Sequence, residues 1–173
     1  EGAHRKPEYL ALNPQGLVPT LVIDGKILTQ SLAIIEYLSE LRPECGLLPA
    51  DSSDRQKVRA FAYAVAMDIH PICNTHVVAH LMTVTDKSDA REEWMKHFIS
   101  DGLRKLEAMI DPAGDGFSFG DTPTMADLCL VPQVYNARRW GVDMSDFKRI
   151  VEIDGKCAKL PAFQAAHPDR AKP

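Results

Sequence analysis

With 173 residues, 45% of them hydrophobic and 25% charged, the chain has the make-up of a soluble globular protein, sized for one ordinary domain or two small packed ones. Its formal net charge of −4 and scattered basic residues exclude the basic stripe that nucleic acid demands; the Arg138-Arg139 pair is enough only for one small anion. No apolar stretch reaches the ~18 residues needed to span a bilayer, and Cys45, Cys73, Cys129 and Cys157 form no C-x-x-C pair, so they read as free thiols of a reducing cytoplasm.

Glu1–Lys6 has no initiator methionine and runs straight into Pro7, which reads as the middle of a longer chain. From Val18 to Thr29, two β-rich runs flank Asp24-Gly25, the dipeptide that takes the positive φ angles of a tight hairpin turn. A helix follows at once, with Ser31 as its expected N-cap and Leu32, Ile35, Leu38 and Leu41 at helical spacing up to Arg42-Pro43. The stretch from Pro43 to Asp54 is rich in proline, glycine and serine, and reads as a linker.

Everything beyond it reads as helical. One long helix is expected from Asp54 to about His80, bent by Pro71, and another from Arg91 to Ile110 with Trp94, Phe98, Leu103 and Leu106 on one face. The run Asp111–Gly116 breaks the pattern. Thr124-Met-Ala-Asp127 opens the next helix as a capping box with Asp in the usual Glu position, and its apolar run to Val134 marks a buried central helix. Shorter helices are expected around Phe147–Asp154 and Pro161–His167.

Three separated motifs, in this order, carry a resemblance. Asn13-Pro-Gln-Gly-Leu-Val-Pro-Thr-Leu21 and Gln30-Ser-Leu-Ala-Ile-Ile-Glu-Tyr-Leu38 resemble the second half of a thioredoxin-like glutathione-binding domain. Thr124-Met-Ala-Asp-Leu-Cys-Leu-Val-Pro-Gln133 resembles the buried helix of the glutathione transferase C-terminal domain, and the wording of all three is similar to the zeta class, the maleylacetoacetate and maleylpyruvate isomerases. The implied fold is α/β plus all-α: a partial thioredoxin-like glutathione-binding domain over 1–43, a linker over 44–53 and a helical bundle domain over 54–173. The resemblance also implies a preceding β-α-β unit of about 30 residues, carrying the serine- and cysteine-containing motif that activates the glutathione thiol. No residue here matches that motif, so none is assigned as catalytic.

The resemblance implies site residues one by one. Alone, Val18-Pro19 reads as a strand-opening proline; in the family the proline is cis, and the Val18 N–H and C=O would pair with the cysteinyl backbone of glutathione, a short β-augmentation. Ser31, at a helix N-terminus suited to a carboxylate, would hold the γ-glutamyl end together with Gln30, and Gln15 would touch the glycyl end. Arg139 matches an arginine that contacts the substrate carboxylate; the bland alternative is a solvated arginine at a helix C-terminus. Arg138 points roughly 100° around the helix from it.

His70 and Asn74, at i and i+4, are similar to a motif that reaches glutathione on the other subunit of a homodimer, or else are interface or core polar residues. His76 stands where some relatives carry an arginine, and pairs less strongly with a substrate carboxylate. With His80 it makes an i, i+4 pair but lacks the glutamate of H-E-x-x-H and a third ligand, so no metal is expected.

The implied activity is glutathione-dependent isomerisation of a small dianionic maleyl diketo acid to its fumaryl form. A thiolate adds to the double bond, rotation follows, and elimination returns the thiol. Conjugation of electrophiles or dehalogenation of α-halo acids by the same thiol stays open, as does a catalytically inactive binding module. Consumption of glutathione separates conjugation from isomerisation, and halide release reveals dehalogenation.

Overall fold

A computed structural model describes residues 2–112, 114 and 116–171. Ala113 and Asp115, in the expected break after Ile110, and positions 172–173 of the expected helical span lie outside the described residues. Two compact units divide the chain, Glu1–Cys45 and Gly46–Pro173.

In the first unit, Pro7 occupies the first turn of a short helix α1 (Pro7–Leu10), where a missing N–H costs nothing. Strands β1 (Thr20–Ile23) and β2 (Lys26–Thr29) pair antiparallel, with Thr20 opposite Thr29 and Ile23 opposite Lys26. Asp24 (φ 49°) and Gly25 (φ 71°) turn the hairpin through the left-handed region, as the sequence predicts.

Helix α2 (Ser31–Leu41) follows without a spacer and stops before Pro43. Its N-cap is Gln30 rather than the expected Ser31, which is the first helical residue. The chain leaves β2 and enters α2 in a single step, and that sharp turn falls on Gln30 at φ 68°, ψ 113°. Its carbonyl already accepts the Ile34 N–H at 2.9 Å.

The second unit is helical. Helix α3 (Ser52–Tyr63) is capped by Asp51, whose carboxylate accepts from the N–H groups of Ser53 at 2.8 Å and Asp54 at 3.0 Å. The single Pro71-bent helix expected from Asp54 to His80 is not what forms. α3 widens into a π-helical stretch (Ala64–Ile69), the chain turns, and a separate helix α4 (Thr75–Val84) begins, capped by Asn74.

Proline cannot donate to a carbonyl one turn back, and after Pro71 the extended backbone of Asn74 (φ −68°, ψ 146°) restarts the helix in a new direction. His70 and Asn74 therefore do not share a helix face; they flank the break.

Helix α5 (Ala90–Met109) braces that break. Trp94 donates its indole N–H to the Ile72 carbonyl at 2.9 Å. Gly102 lets the π-helical stretch approach closely, since a Cβ there would lie 2.4 Å from the Ile69 side chain. Helix α6 (Met125–Arg139) runs through the middle, with Met125, Ala126, Leu130, Val134 and Ala137 fully buried among core residues that include Val58 and Phe61 of α3 and Ile99 and Leu103 of α5. The capping residue Asp127 is itself buried: it accepts from the Thr124 N–H at 2.7 Å, the Thr124 hydroxyl at 3.1 Å and the Ser118 N–H at 2.9 Å.

Upstream, the Leu47 carbonyl accepts from the Met125 N–H at 2.8 Å, so the Gly46–Asp51 stretch is fastened to the start of α6. Helix α7 (Lys148–Cys157) is capped from a distance, its Arg149 and Ile150 N–H groups donating to the two Glu107 carboxylate oxygens at 2.8 and 3.0 Å. A short α8 (Pro161–Ala165) closes the element order. Among the described residues no helix is long and apolar enough to cross a membrane.

Candidate functional site

In the first unit, four candidates gather around the loop leading into β1 and the entry to α2. The Val18–Pro19 peptide bond is cis. Val18 is 72% exposed, and among the described residues neither its N–H nor its C=O has a hydrogen-bond partner. An exposed residue with both backbone groups open is what a ligand peptide needs in order to add as a strand.

Gln15 and Gln30, fifteen positions apart, meet directly, the Gln30 amide donating to Gln15 Oε1 at 2.8 Å. Ser31 follows at the first turn of α2, exposed, with no partner for its hydroxyl among the described residues. The unpaired N–H groups of that turn and the partial positive charge of the helix end favour an anion. Gln30 sits in a region of backbone space that costs of order 1–3 kcal/mol and concentrates at ligand clamps.

In the second unit the candidates fall on two elements. At the break, His70 is exposed, and Asn74 uses its Oδ1 to cap α4 and to meet His76 Nδ1 at 3.0 Å. The Asn74 amide nitrogen is left with no partner among the described residues. His76 is engaged by its neighbour two residues back.

At the C-terminus of α6, Arg138 donates to Asp154 at 2.6 Å, and the Asp154 side chain is only 11% exposed. Arg139 is exposed and has no ion-pair or hydrogen-bond partner among the described residues. The neighbouring arginines thus differ: one braces α7, the other presents a free planar fork of donors of the kind that grips carboxylate bidentately.

The thiols of Cys73, Cys129 and Cys157 have no reactive setting. Burial pushes Cys73 up to about 11, burial and then the nearby Asp127 charge push Cys129 to about 11, and burial with Asp127 and Asp154 pushes Cys157 to about 12. A nucleophilic cysteine needs the opposite shift. Among the described residues no group of three or more His, Cys, Asp or Glu side chains is placed to hold a metal ion.

Two residues that the sequence does not single out, Tyr9 of α1 and Asn13 after it, hold the loop before β1. Tyr9 donates its hydroxyl to the Leu17 carbonyl at 2.6 Å, and the buried Asn13 donates its amide to the same oxygen at 2.8 Å. The Asn-Pro-x-Gly pattern signals a turn there; Tyr9 carries no local signal at all.

Residues 1–41 match the model of the glutathione S-transferase N-terminal domain, and residues 88–166 that of the C-terminal domain. The chain is 64% identical over 173 residues to maleylacetoacetate isomerase of Rhizobium meliloti (strain 1021), spanning 99% of this chain and 81% of that protein. Among solved structures it is similar to the holo form of maleyl pyruvate isomerase, described as a bacterial glutathione-S-transferase in zeta class, with TM-score 0.90, 45% identity, and coverage of 97% of this chain and 82% of that one. It is also similar to maleylacetoacetate isomerase from Methylobacterium extorquens AM1 with bound malonate and GSH, with TM-score 0.91, 37% identity, and coverage of 99% and 82%. The chain belongs to the zeta-class glutathione transferases, the family of the maleylacetoacetate and maleylpyruvate isomerases.

Proposed function

We propose that this chain acts as a glutathione-dependent cis–trans isomerase, converting a maleyl diketo acid of the maleylacetoacetate or maleylpyruvate type to its fumaryl isomer, as a homodimer in the cytoplasm. The observation that carries the reading is the 64% identity, over 99% of this chain, to a maleylacetoacetate isomerase.

The residues of the first unit fit a glutathione tripeptide. Val18 offers an open N–H and C=O to the cysteinyl backbone, and the α2 N-terminus with the Ser31 hydroxyl and Gln30 suits the γ-glutamyl carboxylate. Gln15, hydrogen-bonded to Gln30, is assigned the glycyl end in this reading. When bound, glutathione supplies a thiol that adds reversibly to the maleyl double bond, so that rotation about the resulting single bond and loss of the thiol give the trans product.

The chain's own residues hold and orient. Arg139 grips a carboxylate of the dianionic substrate through its unpaired guanidinium, while Arg138 stays with Asp154. His76 gives a weaker second contact, limited by its bond to Asn74. His70 and the open Asn74 amide reach toward glutathione on the partner subunit of the homodimer. Thiol activation is assigned to no residue of this chain.

The test is isomerisation of maleylacetoacetate by the full-length enzyme, followed by absorbance with and without glutathione. Turnover should require glutathione; an equal rate without it would refute the proposal.

A further inference from the structure

We propose that Tyr9 and Asn13 form a clamp that aims the Val18 N–H at the glutathione backbone, a positioning role that rests on the glutathione reading above. The peptide unit joining Leu17 to Val18 is planar, with carbonyl and N–H held on opposite sides. Whatever fixes the Leu17 oxygen therefore fixes the direction of the Val18 N–H.

Two side-chain donors fix it: the Tyr9 hydroxyl at 2.6 Å and the Asn13 amide at 2.8 Å. Asn13 is 2% exposed, and its other amide atom, Oδ1, accepts from the Gln15 N–H at 3.1 Å. One buried side chain thus sets both the Gln15 backbone and the peptide plane ahead of Val18. The Tyr9 oxygen also lies 2.8 Å from the Thr20 hydroxyl, at the first residue of β1, so the loop is held on both sides of the Val18–Pro19 step.

The consequence is a peptide immobilised through its carbonyl while its N–H stays open and Val18 stays 72% exposed. A donor fixed in place before binding loses little freedom when a ligand arrives. Donation to the Leu17 oxygen further polarises the peptide and makes its N–H a better donor. Neither Tyr9 nor Asn13 is assigned a ligand contact; both act through the Leu17–Val18 peptide.

Two substitutions test this in the full-length enzyme. Tyr9→Phe deletes one donor and keeps the ring. Asn13→Asp keeps the acceptor for Gln15 and turns the donor facing Leu17 into an acceptor. Glutathione binding is measured by titration calorimetry, alongside kcat, KM and Tm, and repeated with a glutathione analogue whose Cys–Gly amide is an ester, a weaker acceptor for the Val18 N–H.

Tyr9→Phe should raise Kd and KM for glutathione about fivefold, and Asn13→Asp about tenfold or more, with kcat at saturating glutathione within about twofold of wild type. For the ester analogue the Tyr9→Phe penalty should fall below about twofold. Equal weakening of both ligands with a lowered Tm would mark a merely structural role and overturn the clamp, as would unchanged affinity in both variants. A wild-type enzyme that binds no glutathione would overturn the glutathione reading itself, and the clamp with it.

Discussion

Arg138 and Arg139 are adjacent and identical, yet the structure gives them separable consequences. Arg138 is half exposed and pairs with Asp154 at 2.6 Å, where the carboxylate side chain is 11% exposed. Solvent screens the guanidinium side, so Arg138→Ala should cost about 1 kcal/mol, the upper end for a surface-accessible pair. For a chain of this size that lowers Tm by about 2–4 °C.

Arg139 has no partner among the described residues, so its removal should leave Tm within a degree or so of wild type. If it holds a substrate carboxylate, the lost charge-assisted contact is worth about 1.5 kcal/mol or more, which raises KM for the dianionic substrate about tenfold. KM for a neutral electrophile, such as chlorodinitrobenzene, should hardly move. The assay is a pair of thermal melts beside a pair of kinetic series. A lowered Tm in Arg139→Ala, or an equal rise in KM for both substrates, would refute the division of labour.

Other sites give sharper stability effects. Asp127→Ala would orphan the buried Ser118 and Thr124 N–H groups and cost about 3–5 kcal/mol in chemical denaturation, with Asp127→Asn milder because one acceptor remains; a loss under about 1 kcal/mol would contradict that. At Gly102, an added methyl would press on Ile69 at 2.4 Å, so Gly102→Ala should destabilise by about 1–2 kcal/mol despite alanine's better helix propensity; a stabilised variant would show that Ile69 moves aside freely. At pH 8 the exposed Cys45 should react first with a thiol reagent, because Cys73 and Cys129, held near 11, are ~0.1% thiolate there; simultaneous labelling of all four would refute the burial argument. The same raised values make the folded state hold protons that the unfolded chain releases above about pH 9, so Tm should fall as pH climbs from about 9 toward 11, and a flat Tm across that window would contradict it.

How far the sequence reads depends on how local each signal is. Asp24-Gly25 and the β-rich runs beside it predict the hairpin because turn and strands lie together between Thr20 and Thr29. The Thr124–Asp127 box is likewise visible, since its partners lie three apart; that Asp127 also holds the Ser118 N–H is not. The break between α3 and α4 is not legible in the sequence because Pro71 signals only a bend, whereas the π-helical stretch packs against Gly102, more than thirty positions on. Glu107 capping α7 from 42 positions away leaves no local trace.

The candidate site divides the same way. The motif wording points to Val18, Gln30 and Ser31, and the family resemblance to Arg139, yet no pattern in it foretells the positive φ of Gln30, its bond to Gln15, or the capture of Arg138 by Asp154. Those arise from tertiary placement.

The central claim is that glutathione is used without being used up. The direct measurement is the number of maleylacetoacetate molecules isomerised per glutathione supplied, with the full-length enzyme and glutathione at about one-hundredth of the substrate. The account predicts complete conversion to the fumaryl product with all glutathione recovered. Conversion that stops when glutathione is exhausted, one product for each molecule consumed, would contradict it.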